Sequence, residues 1–121
     1  MTDNGYDNNN IFAKILRNEA KADIVFENEH ILCFSDIFPK APVHVLIVPK
    51  GKFKDINEFS KYASKEQKNS VFEAFDKIIQ IFKLDSKGCR IITNFGENGR
   101  QEVPHLHFHL LGGKDIGRMI T

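Results

Sequence analysis

The chain has 121 residues, room for one hydrophobic core, because two cores would leave each half too small to bury enough surface. Seventeen Lys and Arg against sixteen Asp and Glu give a net charge of +1, which supplies no long-range field for gathering nucleic acid or an anionic membrane. Hydrophobic residues make up 41% of it and eleven are Phe, so the chain is globular rather than disordered, and any phosphate it binds must be held by local contacts.

The N-terminus, MTDNGYDNNN, is polar where a secretory leader would be basic and then apolar, and no segment approaches the ~18 apolar residues of a membrane span. A cytoplasmic protein is expected, with a disordered arm over residues 1–10 and a single domain over 11–121. IFAKILRNEA (11–20) spaces its apolar residues as a short amphipathic helix. In DIVFENEHILCFSD (23–36) the apolar residues Ile24 to Phe26 and Ile31 to Phe34 flank a turn at Asn28 and Glu29, the pattern of a hairpin. Pro39 and Pro42 interrupt the chain, and VHVLIVP (43–49) follows as a central strand.

DINEFSKY (55–62) suggests a helical turn or two. Ser64 and Gln67 then form a capping-box signature ahead of a long helix, whose stripe of Val71, Phe72, Phe75, Ile78, Ile79 and Phe82 runs to about Leu84. The Lys and Arg at 50, 52, 54, 61, 65 and 68 are interleaved with Asp55, Glu58 and Glu66, which reads as a solvated face rather than a nucleic-acid patch. CRIITN (89–94) is a strand, 94–102 a glycine-containing loop and 103–111 the last strand. Cys33 and Cys89, far apart and inside apolar runs, read as reduced thiols rather than a redox pair or zinc knuckle. The expected fold is α+β: an antiparallel sheet of about five strands, with helices on one face.

PHLHFHLLGG (104–113) carries three of the five histidines at alternate positions. On a strand His105, His107 and His109 share one side and Leu106, Phe108 and Leu110 the other, so the apolar side meets the helices and the middle histidine can reach both neighbours. Three uses compete. The histidines can decorate a sheet face. A His-x-His pair can hold zinc, although all three from one strand span too far for one ion. Or a neutral imidazole attacks a phosphoryl centre while neighbouring rings donate hydrogen bonds and shuttle a proton, which an ordinary pKa near 6.5 allows around pH 7. His44, in the neighbouring strand, adds a fourth imidazole on the same face.

HLHFHLL (105–111) resembles the signature of the histidine triad (HIT) superfamily of nucleotide hydrolases and transferases. IFAKI (11–15), FSDIFPKAPVHVLIVPK (34–50) and NFGENGRQEVPHLHFHLLGG (94–113) are similar to its Hint branch, the histidine triad nucleotide-binding proteins, in the same order. The resemblance implies a HIT-like fold with the sheet continued across a homodimer, and no metal or other cofactor. It implies that His107 is the nucleophile, that His109 contacts the phosphate, and that His105 and His44 form a supporting hydrogen-bonded chain. Asp36 would accept hydrogen bonds from the ribose hydroxyls, a task suited to a carboxylate. Phe12, Ile15, Phe34, Ile37 and Leu46 would hold the purine base. Asn94, with the backbone around Gln101, Glu102 and Val103, would form the α-phosphate side, loosened by Gly96 and Gly99.

Position 102 is Glu where many eukaryotic Hint proteins carry Ser, a bacterial-type feature. The segment after Gly113 has no aromatic residue, and in the family that segment tunes substrate preference. The implied activity is a purine nucleoside phosphoramidase that hydrolyses adenosine 5′-phosphoramidate-type substrates to AMP and an amine through a covalent nucleotidyl-histidine. The alternatives are a dinucleoside polyphosphate hydrolase of the same superfamily and a nucleotide-binding module with incidental activity. The expected partners are a purine nucleotide and a second copy of the chain, not nucleic acid or a membrane.

Overall fold

Nearly unbroken apolar runs at 31–34 and 45–48 decide the layering, because alternate residues on a strand leave by opposite faces and both faces must then be covered. The computed structural model describes residues 5–120. Its hairpin is β1 (Ile24–Glu27) and β2 (Ile31–Ser35), turned by Asn28, whose Oδ1 accepts the backbone N–H of His30 and Ile31 at 3.0 and 2.9 Å. β3 (Val43–Pro49) is central, and with β4 (Cys89–Ile92) and β5 (Phe108–Gly112) the sheet runs β1-β2-β3-β5-β4, every neighbouring pair antiparallel.

Helices cover both faces, not one as the sequence suggests. On one side Ile31, Cys33, Val45 and Ile47 pack with Val71, Ala74 and Ile78 of the long helix. On the other Leu32, Phe34, Leu46 and Val48 pack with Phe12 and Ile15 of α1 (Ile11–Leu16). Asp55 caps α2 (Ile56–Tyr62) by accepting the Glu58 N–H at 2.9 Å. The capping box forms as expected at the start of α3 (Lys65–Ile81): Gln67 N–H donates to Ser64 Oγ at 3.0 Å, and Ser64 N–H to Gln67 Oε1 at 2.8 Å. Of the expected stripe, Phe72 is 72% exposed, its ring edge-on to Phe75 at 5.5 Å. Positions 71, 74 and 78 set the buried face, and 72 falls one step outside it.

Two further expectations change. The last strand begins at Phe108 rather than 103, since Pro104 has no N–H for a ladder. The amides after it bond elsewhere, His105 to the Val103 carbonyl and Leu106 to the Phe53 carbonyl, both at 2.8 Å. Leu106 still joins Phe108 and Leu110 in the α3-side core, so the alternation survives outside the ladder. Within the expected arm, Tyr6 and Asn10 make side-chain hydrogen bonds, Tyr6 to His105 and Asn10 to Tyr6. Asn10 is buried and caps α1 through Oδ1, which accepts the Ala13 N–H at 2.8 Å. Residues 1–4 and 121 of the expected arm and domain lie outside the described residues.

Candidate active site

Strand register assembles the floor of the site. Phe34 opposes Leu46, Leu46 opposes His109, and His109 opposes Ile92, so one row of side chains crosses β2, β3, β5 and β4 on the face that α1 partly covers. The row lines a cleft of about 780 Å³, a size suited to a small ligand. Phe12 of α1 closes over it, with ring centroids 4.8 Å from His107, 5.8 Å from Phe34 and 6.3 Å from His105. The histidines therefore do not face open solvent, as a bare sheet face would make them: His105, His107 and His44 are buried and His109 is half-buried.

Hydrogen bonds fix where each ring carries its proton, because a carbonyl only accepts and a backbone amide only donates. His107 Nδ1 lies 2.7 Å from the His105 carbonyl and must donate, which leaves Nε2 with a free electron pair. His105 Nε2 lies 2.7 Å from the Pro49 carbonyl and also donates, so its Nδ1 accepts from the Tyr6 hydroxyl at 2.5 Å. His44 Nδ1 accepts the Lys40 N–H at 3.0 Å, so its Nε2–H donates to His109 Nδ1 at 2.9 Å, and His109 in turn carries its proton on Nε2. The site thus offers one bare imidazole nitrogen, on His107, and one imidazole N–H, on His109. The rings of these two residues are 5.1 Å apart.

The chain expected between His105 and His44 is replaced by two separate ones, Tyr6–His105–Pro49 and Lys40–His44–His109. Burial pushes all four histidines below their ordinary value of 6.5, His105 and His109 to about 4. On His107 the His105 carbonyl and the Asp36 and Glu102 carboxylates oppose that effect in part, while His109 is pushed further down by His107 and His44. The expected coexistence of neutral and protonated rings near pH 7 is therefore corrected: burial keeps all four neutral in the free protein.

The cleft gathers most of the candidate residues: His107, His109 and His44, with Asp36, Ile37, Phe12, Ile15, Phe34, Leu46, Asn94, Glu102 and Val103. Ile37 sits at the rim, 80% exposed. Asp36 accepts the Phe38 N–H on Oδ1 at 2.8 Å, and its Oδ2 lies 3.4 Å from His44 Nε2. Two candidates lie behind the wall. His105 is fully buried beneath it. Gln101 braces the loop: its N–H donates to the Gly96 carbonyl at 3.1 Å, and its side chain donates to the Lys54 and Val103 carbonyls at 2.6 and 3.1 Å. Its backbone N–H is thus spent on Gly96 and its side-chain amide on Lys54 and Val103.

Gly99 does more than loosen the segment, since a Cβ there would lie 2.5 Å from the Phe95 carbonyl oxygen. The sequence reading missed Lys21, Lys40, Arg100 and Ile92, which also line the cleft. Ile92 becomes visible once β4 is paired with β5; isolated basic residues carry no comparable signal.

The donor atoms of Asp36, His44 and His109 all lie within 4.8 Å of one another. This trio differs from the one weighed in the sequence, and because its members come from separate strands or their ends the objection from span does not apply to it. An ion there would have to displace the proton that His44 Nε2 donates to His109.

An antiparallel sheet with helices on both faces that brings His44, His107 and His109 to one cleft, with His105 buried behind its wall, defines a histidine-triad domain. The HIT domain family matches residues 17–116, and the chain belongs to that family. It is 44% identical to an uncharacterized HIT-like protein of Azospirillum brasilense over 96% of this chain and 95% of the relative. It is 39% identical to the purine nucleoside phosphoramidase of Escherichia coli K12 over 92% of each. Among solved structures, the HIT family hydrolase of Clostridium thermocellum superposes with a TM-score of 0.84 at 38% identity, covering 93% of this chain and 97% of that one.

Proposed function

We propose that this HIT-family nucleotide hydrolase, of the Hint branch, cleaves purine nucleoside 5′-phosphoramidates to AMP and an amine. The observation that carries the reading is the proton arrangement: the His105 carbonyl holds the His107 Nδ1–H, so Nε2 is the one bare imidazole nitrogen beside the His109 N–H donor. In this mechanism Nε2 attacks the α-phosphorus and the phosphorus–nitrogen bond breaks. The amine leaves with that electron pair and a proton taken from solvent, which the attacking water gives back in the second step. Water then attacks the nucleotidyl-imidazole and returns the neutral ring. His109 donates to a phosphoryl oxygen, where charge grows in the transition state. Phe12, Ile15, Phe34 and Leu46 form the apolar end that suits a purine, and the Asp36 carboxylate suits the ribose diol. The Escherichia coli relative named for this activity supports the choice of substrate.

The test is a substrate panel. An adenosine phosphoramidate should turn over faster than diadenosine tri- or tetraphosphate, and the reverse order would assign the protein to the dinucleoside polyphosphate hydrolases.

The same reading includes a homodimer in the cytoplasm. β4 is an edge strand whose Ile91 is 39% exposed, and an unpaired apolar edge favours pairing with a second copy. The two free thiols fit a reducing compartment. Sedimentation at micromolar concentration should give twice the chain mass; a monomer would remove the dimer.

A further inference from the structure

Between the polar N-terminal segment and the triad runs one directed chain of hydrogen bonds. Asn10 Nδ2 donates to Tyr6 Oη at 3.0 Å, and the Tyr6 hydroxyl donates to His105 Nδ1 at 2.5 Å. His105 Nε2 donates to the Pro49 carbonyl at 2.7 Å, and the His105 carbonyl accepts the His107 Nδ1–H at 2.7 Å. Asn10 is held by its own bonds to the Asp7 carbonyl and the Ala13 amide, both at 2.8 Å, so Tyr6 is anchored from behind. His105 is fully buried, with the Tyr6 and Phe12 rings edge-on to it at 5.5 and 6.3 Å.

We infer that Tyr6 is a positioning residue for the reaction: clamped between the Tyr6 hydroxyl and the Pro49 carbonyl, His105 is held so that its own carbonyl aims His107 Nε2 at the phosphorus. Nothing in the sequence signals this, since a lone tyrosine in a polar arm reads as a solvated side chain. Removing the hydroxyl leaves His105 Nδ1 as a buried acceptor without its donor, and such a group either draws in water or shifts. The carbonyl behind it shifts as well, and the nucleophile with it. Burial holds the Tyr6 hydroxyl protonated by raising its pKa, in keeping with its role as donor.

The inference rests on the proposed phosphoramidase reading for its kinetic arm, and a second arm does not. Tyr6→Phe keeps the ring and removes one oxygen. On an adenosine phosphoramidate it should lower kcat about 10-fold while KM stays within about twofold, because the ring misaligned is the one that reacts and not one that grips the nucleotide. Deleting residues 1–6 should reproduce the loss. In imidazole ¹⁵N–¹H spectra of the full chain, wild-type His105 should carry its proton on Nε2, and the His107 Nδ1–H signal should move in Tyr6→Phe. An unchanged kcat, an effect confined to KM, an unmoved His107 signal, or a wild-type His105 protonated on Nδ1 would each overturn the inference. If the wild-type protein cleaves no phosphoramidate, the substrate reading fails, and the spectra still decide the role of Tyr6.

Discussion

His107→Ala should lower turnover of an adenosine phosphoramidate by about 10⁴-fold or more, as removal of a covalent nucleophile does. Nucleotide binding should survive, because the groups assigned to the base and ribose lie elsewhere: Phe12 on α1, Phe34 and Leu46 on the sheet, and Asp36 after β2. The substitution removes one imidazole from beside Phe12 and leaves the His44–His109 pair intact. A rate measurement with a separate AMP titration reads both quantities. Residual activity within tenfold of wild type would remove His107 from the role of nucleophile, and lost AMP binding would show that the ring holds ligand rather than reacts with it.

Lowering the pH from 7 to 4.5 should destabilise the protein, with most of the loss below pH 6.5. Well above that value the unfolded imidazoles are neutral, as the buried folded ones are, so the buried rings contribute little pH dependence there. Below it the unfolded imidazoles take up protons, while burial keeps folded His105 and His109 neutral until about pH 4. In that window the unfolded state binds more protons, and stability therefore falls as pH falls. Each pH unit between the two values is worth ~1.4 kcal/mol per ring. His105, wholly enclosed, accounts for a loss of about 3 kcal/mol, and His109, half open to the cleft, for less. Thermal melts across the range check this, and a midpoint that stays flat from pH 7 to 4.5 would contradict it. His105→Gln, which removes the titrating ring, should flatten the curve.

Much of this was legible in the sequence, and the reasons are local. The Ser64–Gln67 box, the Asn28 turn and the apolar run of β3 each depend on neighbours within a few residues, and each formed where the pattern put it. Alternation placed Leu106, Phe108 and Leu110 in the core even though only part of that segment joins the ladder. Apart from the late start of β5 after Pro104, the failures involve distant partners. His44 meets His109 rather than His105 because β3 and β5 pair in a register that sets His44 opposite Leu111, one pleat repeat from His109 opposite Leu46. Tyr6 meets His105 across almost the whole chain, Gln101 reaches back to Lys54, and a second helical layer follows from how two strands share their apolar residues. Phe72 is the other exception: an apolar residue beside a helical stripe looks like part of it, and the fold leaves it outside.

The row from Phe34 through Leu46 and His109 to Ile92 also separates the outline of the cleft from the core behind the sheet. Three members of the row have sequence neighbours in the α3-side core: Phe34 has Cys33, Leu46 has Val45 and Ile47, and His109 has Phe108 and Leu110. Enlarging or narrowing the floor at positions 34, 46 and 92 redraws the outline offered to a ligand while the packing on the other side of the sheet keeps its volume. The domain is laid out as a template with one replaceable surface, in which the outline of the cleft can change at three positions while the His107 and His109 rings stay where positions 105 to 109 put them.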